Sequence, residues 1–135
     1  ALRRPDVALG AAVALMTARA ARRLADAPAL IDEHGQCSWA ELDARVNRLV
    51  RALRAAGLQP GERIALFAGN RRGVFELMAA AIHCGLFYVP INWHFSVDEL
   101  AYVLADSGAV GVLTDSQFAA TAAAALQRSP SFCVT

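Results

Sequence analysis

The sequence predicts an α/β fold, a parallel sheet with helices on both faces, preceded by a helix and a small β-hairpin. Three observations carry this. From Arg63 onward, apolar runs alternate with helical segments in the order β-α-β-α-β-α-β. Those runs are apolar almost throughout, as strands are when both faces of a parallel sheet are covered. Two capping boxes, Ser38–Glu41 and Ser96–Glu99, mark helix starts, since a Ser and a Glu three residues on satisfy each other's free backbone donors. The crossovers in such a sheet are expected to be right-handed. A length of 135 residues fits one domain by the usual span of about 100–200.

Each element follows from local chemistry. Residues from about Ala11 to Ala25 are strong helix formers, closed by Asp26 and Pro28. Ala29–Glu33 and Gln36–Ser38 are short strands joined by a turn at His34-Gly35, a small hairpin. In the helix after Ser38, Leu42, Val46, Leu49 and Leu53 recur at helical spacing and form the expected core face, with Leu49 at its centre. Arg48, Arg51 and Arg54 project from the other side. Gly57 stops that helix as a left-handed cap, and Leu58 folds back over its last turn. After a turn at Pro60-Gly61 come a strand at Arg63–Phe67, a helix from about Arg72 to Cys84, and a strand at Phe87–Ile91. A helix then runs to about Asp106, followed by a strand at Val110–Leu113 and a helix at Phe118–Leu126. Pro130 breaks the last helix, and Phe132–Thr135 opens a further strand. A chain that stops there, with no helix to cover the strand, is expected to continue in the intact protein.

Composition excludes several classes. The chain is 56% apolar and 19% charged, which is the balance of a globular core and not of a disordered segment. A net charge of +1 recruits no nucleic acid. All 13 basic residues are Arg. Without Lys there is no Schiff-base amine and no phosphate-loop lysine. Cys37, Cys84 and Cys133 are widely spaced and lack a CxxC pattern, which fits reduced thiols in the cytoplasm and gives no zinc-type ligand spacing. His83-Cys84 reads as core packing. No stretch reaches the ~18 apolar residues that span a bilayer. Val7–Met16 after Arg3 and Arg4 loosely mimics a signal peptide, but Thr17–Arg23 reads as an amphipathic helix, so a cleaved signal is the lesser reading. The chain opens on Ala1 and not Met, as either a processed or an engineered start would.

Three loops at strand ends are the places to look for chemistry. Gly69–Gly73 follows a strand and opens a helix, where free N–H groups can hold a phosphate; it matches no phosphate-loop pattern, and Asn70 reads better as a helix N-cap. Trp93, His94 and Phe95 follow the next strand, beyond the carboxyl end of the sheet where ligands bind in open α/β folds. His94 is either a polar group between aromatic walls or part of a loop that covers the sheet end. The second reading is preferred, because no Ser, Cys or Asp partner lies near in sequence. Asp115-Ser116 sits at an equivalent end, with Asp115 a cation ligand or, more commonly, a helix N-cap. Asp32-Glu33 and Asp98-Glu99 are adjacent acids and not opposed catalytic carboxylates. Arg19, Arg22 and Arg23 read as a solvated face, with contact to anionic lipid as the alternative.

The order of these segments resembles the opening of AMP-forming acyl-CoA synthetases. The resemblance runs through Ala27–Asp32, Ser38–Asp43, Val46–Leu49, Leu53–Arg63, Gly69–Arg71, Phe75–Leu77, Gly85–Asn92 and Ser96–Gly108, with Trp93-His94-Phe95 most like fatty-acyl-CoA synthetases. It implies that residues 1–135 are a single, incomplete amino-terminal domain, the first subdomain of the family's large amino-terminal domain. It implies a ligase that joins a fatty or other carboxylic acid to coenzyme A, using ATP and Mg. The family's phosphate loop, adenine and magnesium motifs and catalytic lysine have no counterpart here. The expected catalytic, cofactor-binding and metal residues in this stretch are therefore none, and the stretch alone is expected to bind no cofactor and to be inactive. Its expected partner is the remainder of its own chain; peripheral membrane contact and homo-oligomerisation stay open. The other readings are a free-standing flavodoxin-like binding module, with a ligand at a strand-order switch near Asn70 or Asp115, and a non-catalytic interaction protein.

Overall fold

The computed structural model describes residues 16–128. The stretch from Ala11 to Leu15, the Val7 run, Cys133 and the strand expected at Phe132–Thr135 lie outside the described residues. Helix α1 (Met16–Arg23) leads into a hairpin of β1 (Pro28–Asp32) and β2 (Gly35–Ser38). Helix α2 (Trp39–Ala55), β3 (Arg63–Phe67), α3 (Arg72–His83), β4 (Phe87–Pro90), α4 (Val97–Ser107), β5 (Val112–Thr114) and α5 (Ala119–Arg128) follow. The sheet is parallel, in the order β4-β3-β5.

Strand β3 divides two cores, and its alternation assigns them. Ile64 points to the side where Leu42, Val46, Val50 and Leu53 of α2 meet Ala80, Ala81 and Cys84 at the end of α3. Ala65 and Phe67 point to the other side, against Leu100 and Leu104 of α4 and Ala122 and Ala125 of α5. The neighbouring strands keep the same parity. Tyr88 and Leu113 pack with the first cluster, Val89 and Val112 with the second. The sheet is thus covered on both faces, as the unbroken apolar runs require.

Helix boundaries follow capping chemistry. Both capping boxes form, with the Ser38 N–H donating to Glu41 at 2.8 Å and the Ser96 N–H donating to Glu99 at 2.8 Å. Gly57 sits at φ +83°, and its N–H donates to Arg54 O while Leu58 N–H donates to Leu53 O. These are the paired bonds of a Schellman cap. Gly85 repeats the device at φ +72°, with Pro60 Cβ only 3.2 Å from where a side chain would begin, so that position is closed to larger residues twice over.

Several boundaries differ from expectation. Helix α1 ends at Arg23 and not Ala25, because the carbonyls of Ala25 and Ala27 accept from Ala40 and Trp39 at the start of α2. Pro28 begins β1 instead of preceding it, at a strand start where no N–H is needed. Strand β5 begins at Val112 and not Val110. The Val110 N–H is already used on Arg63 O, and Ala65 N–H donates to Gly111 O. The centre of the α2 core face is also displaced. Val50 is buried, while Leu49 is only partly buried at the margin. Helix α1 packs beside α2, with Thr17 Oγ1 donating to Asp43 at 2.9 Å, and this turns the buried arc toward the Asp43–Val50 side.

Candidate functional site

The strand order reverses at β3: the chain steps from β3 to β4 on one side, then α4 carries it back over to β5 on the other. In open α/β folds the carboxyl end of the sheet at such a reversal is where ligands bind. Here Phe67 of β3 lies beside Thr114 of β5, so the loops at Gly69 and Asp115 emerge together.

Those loops engage each other. Asp115 Oδ2 accepts from the Gly69 N–H at 3.3 Å, and Oδ1 accepts from the Gln117 N–H at 3.0 Å. The Arg71 guanidinium donates to Gln117 Oε1 at 2.9 Å. Phe118 stands edge-on to Phe67 with ring centres 5.5 Å apart, and 5.8 Å from the ring of Trp93. Trp93 in turn stacks on His94 at 3.4 Å. Asn92 Oδ1 accepts from the His94 backbone N–H at 3.1 Å and lies 3.0 Å from His94 Nδ1.

The chemistry open to this arrangement is narrow. Asp115 puts a carboxylate where a phosphate would sit on Gly69, so the N–H is already taken and a like charge repels the phosphate. A side chain at Gly69 would meet Phe118 at 3.5 Å, an ordinary contact. The ring, and not a ligand, fills that space. Among the described residues no cluster of His, Cys, Asp or Glu could hold a metal ion. The Gly69 loop offers no free N–H at that position for a phosphate. His94 is exposed in the loop after β4, held there by Trp93 and Asn92.

Two expectations need correcting. Asn70 is exposed and does not cap α3; Arg71 is the cap residue, extended at φ −132° and without a side-chain cap bond. The Arg71 N–H closes instead on Gly69 O at 2.8 Å, which places Asn70 one residue too early. Asp115 caps a turn at Gln117 and not the first turn of α5, which starts later, at Ala119. Sequence reasoning brought Gly69, Trp93, His94 and Asp115 to the same end of the sheet but missed Phe118, the ring that joins them. Its position just beyond β5 was the available signal.

Three ion pairs join elements to one another. Asp32 pairs with Arg72 at 2.8 Å and ties the hairpin to α3; Arg45 pairs with Glu76 at 3.1 Å, α2 to α3; Arg128 pairs with Asp98, α5 to α4. Asp43 takes hydrogen bonds from Thr17 and, at 3.0 Å, from Asn47. Cys84 is buried with its Sγ 3.8 Å from Val50 O, and burial pushes its thiol up, which makes it a core group and not a nucleophile.

His83 is the exception, since its Nε2 is buried without a hydrogen-bond partner. Burial holds its imidazole below the ordinary 6.5, aided by Arg54 and opposed by Asp43. The backbone N–H groups of Ser38 and Ser96 hold Glu41 and Glu99 below the ordinary 4.5. In each case the unfolded chain binds protons before the folded one, so stability falls as pH falls. The His83 contribution should fade as pH drops below 6.5 toward its folded value, and the capping-box contribution as pH drops below 4.5. Urea midpoints measured across that range should show two declines. His83→Gln should remove the upper and Glu41→Gln with Glu99→Gln should flatten the lower. A midpoint independent of pH from neutral down to the carboxylate range would contradict both assignments.

Residues 17–134 match the family model described as AMP-binding enzyme. The chain is 41% identical over 87 residues to the feruloyl-CoA synthase of an Amycolatopsis species, covering 64% of this chain and 18% of that protein. It is 31% identical over 91 residues to the fatty acid–[acyl-carrier-protein] ligase ScoC of Streptomyces coeruleorubidus, covering 67% and 18%. Its fold superposes on a benzoate CoA ligase from Burkholderia xenovorans LB400 with a TM-score of 0.81 at 27% identity, over 89% of this chain and 24% of that one. The chain thus spans about a fifth of the length of these curated relatives. Its architecture is that of the amino-terminal subdomain of adenylate-forming enzymes. The sequence order, the two-faced parallel sheet and the family match agree: this chain belongs to the AMP-binding enzyme family.

Proposed function

We propose that this chain is the amino-terminal framework of an ATP-dependent, AMP-forming acid–thiol ligase. That enzyme converts a carboxylic acid, ATP and coenzyme A to acyl-CoA, AMP and pyrophosphate. The observation that carries the proposal is the unbroken family match over residues 17–134, on a fold whose strand-end loops bind one another. On this reading the stretch is a wall of the larger enzyme, and its own residues supply position and not chemistry. Adenylyl transfer depends on oriented charge around the phosphates and on holding acid and ATP together. A wall whose Gly69 N–H is already occupied supplies neither. The partner of this chain is accordingly the rest of the enzyme. A cytoplasmic setting belongs to the same proposal and is supported by the free, buried thiols of Cys37 and Cys84.

The acid is proposed to be a fatty acid, on the likeness carried by Trp93-His94-Phe95 after Pro90-Ile91-Asn92. A second reading, an aromatic acid, is favoured by the relatives named for feruloyl-CoA and benzoate. In the whole enzyme, a panel of fatty and aromatic acids in a pyrophosphate–ATP exchange assay separates the two.

The framework role has its own test. The 135-residue chain alone should give only background exchange. The same residues grafted over the matching stretch of the Amycolatopsis feruloyl-CoA synthase should preserve acid-dependent exchange and thioester formation. Robust exchange by the isolated chain, or a folded graft without exchange, would overturn the proposal.

A further inference from the structure

We propose that the outward face of α1 docks on an anionic lipid surface. The argument begins with charge. Residues 1–25 hold five Arg against the single Asp6, a formal charge of +4; residues 26–135 hold eight Arg against eleven acids, −3, and the two sum to the chain's +1. A nearly neutral protein is therefore strongly polar from end to end. Near a negative surface such a molecule turns its basic end inward, and the attraction acts within a Debye length.

Among the described residues, the structure places three of those arginines, Arg19, Arg22 and Arg23, on one surface. At about 100° per helical residue, Met16, Arg19, Arg22 and Arg23 share one arc of α1, and Thr17, Ala18 and Ala21 share the other. Burial agrees. Thr17 is buried and bonded to Asp43 on α2, whereas the three arginines and Met16 are exposed. Arg19, Arg22 and Arg23 line a common surface recess. Among the described residues none of the three pairs with a carboxylate, while Arg45, Arg72 and Arg128 all do.

The apolar neighbours decide which polyanion fits. Met16 and Leu24, at the two ends of α1, are each 54% exposed. A nucleic acid offers phosphate but nothing for these side chains. A lipid surface offers both headgroup charge and an acyl boundary, and stable attachment takes two such signals together. The sequence just upstream, Val7 to Leu15, is apolar as well. Among the described residues no helix is long and apolar enough to cross a membrane, so the contact is a surface one.

The test is co-flotation of the 135-residue chain with vesicles of phosphatidylcholine containing phosphatidylglycerol, against vesicles of phosphatidylcholine alone. The chain should float with the first and not the second, and binding should weaken as salt rises. Each arginine near such a surface contributes roughly fivefold in partitioning, so Arg19→Gln with Arg22→Gln and Arg23→Gln should lower it by about 10²-fold. Circular dichroism should be unchanged, because these side chains face away from α2. Should the triple variant lose its fold, the three single variants each carry the fivefold expectation. The corresponding Arg→Lys variants should bind as wild type, since a charged surface needs no bidentate geometry. Met16→Ser with Leu24→Ser should weaken vesicle binding while leaving any oligonucleotide binding unchanged. Equal flotation with both vesicle types, or anionic binding untouched by loss of the arginines, would overturn the proposal. So would tighter binding to an oligonucleotide than to the anionic vesicles.

Discussion

Replacing Phe67 with alanine should remove about 3–5 kcal/mol of folding stability, the cost of emptying a large aromatic site in a packed interior. Phe67 is fully buried at the carboxyl end of β3, and its ring meets Phe118 edge-on. It also belongs to the cluster formed by Leu100, Leu104, Ala122 and Ala125. Those neighbours are fixed in helices and include small residues that cannot swing in to fill the space. Against a total stability of about 5–15 kcal/mol for a domain, the loss is large enough to leave a substantial unfolded fraction. Urea denaturation monitored by far-UV circular dichroism measures it directly. A loss below about 1 kcal/mol would show that this face of the sheet is loosely packed.

Leu53→Ala should cost about 2–5 kcal/mol, as buried leucine truncations do, while Leu49→Ala should fall below the bottom of that range. Both leucines lie on α2, yet Leu53 is buried near its Schellman cap and Leu49 is at the margin of the same cluster. The ranking is the informative quantity, because helix propensity changes equally at the two positions. If Leu49→Ala lowered the urea midpoint more than Leu53→Ala, the orientation given to α2 would be wrong. Leu53 and Phe67 belong to separate clusters on opposite faces of β3, so their losses should add.

Much of this fold is legible in the residues because local and tertiary preferences coincide. Ser38, Glu41, Ser96 and Glu99 name their own helix starts, since a capping box is complete within four residues. Gly57, Gly85 and Gly108 name helix ends, because only a left-handed residue closes the turn and glycine adopts it without strain. The unbroken run Ile64–Phe67 states that both faces of β3 are covered. What the sequence does not state is which helix leans on which. The choice of Val50 over Leu49 depends on α1 packing beside α2, a contact 26 residues apart at Thr17 and Asp43. Likewise, the loop after β3 is shaped by an acid 46 residues later, Asp115, whose bond to Gly69 no local pattern announces. Asn70 looks like a cap because Asn often is one, and that preference yields to the tight Arg71–Gly69 turn. The family-level likeness was legible because it rests on the order of many segments. The site was less so, because it is assembled from the ends of β3, β4 and β5.

The division of the core by β3 bears on how the protein emerges from the ribosome. Once residues up to about β4 have been synthesised, α2 and α3 can already cover the Ile64 side of the β3–β4 pair. The Ala65 and Phe67 side then waits for α4 and α5, which end at Arg128. At elongation rates of about 5–20 residues per second, that face stays bare for roughly two to eight seconds. The nascent chain thus passes through a half-clad stage, apolar on one side and with the β3 edge that awaits β5 still open. That interval is where a chaperone would find its grip, and where neighbouring nascent chains, if crowded on one message, would find each other.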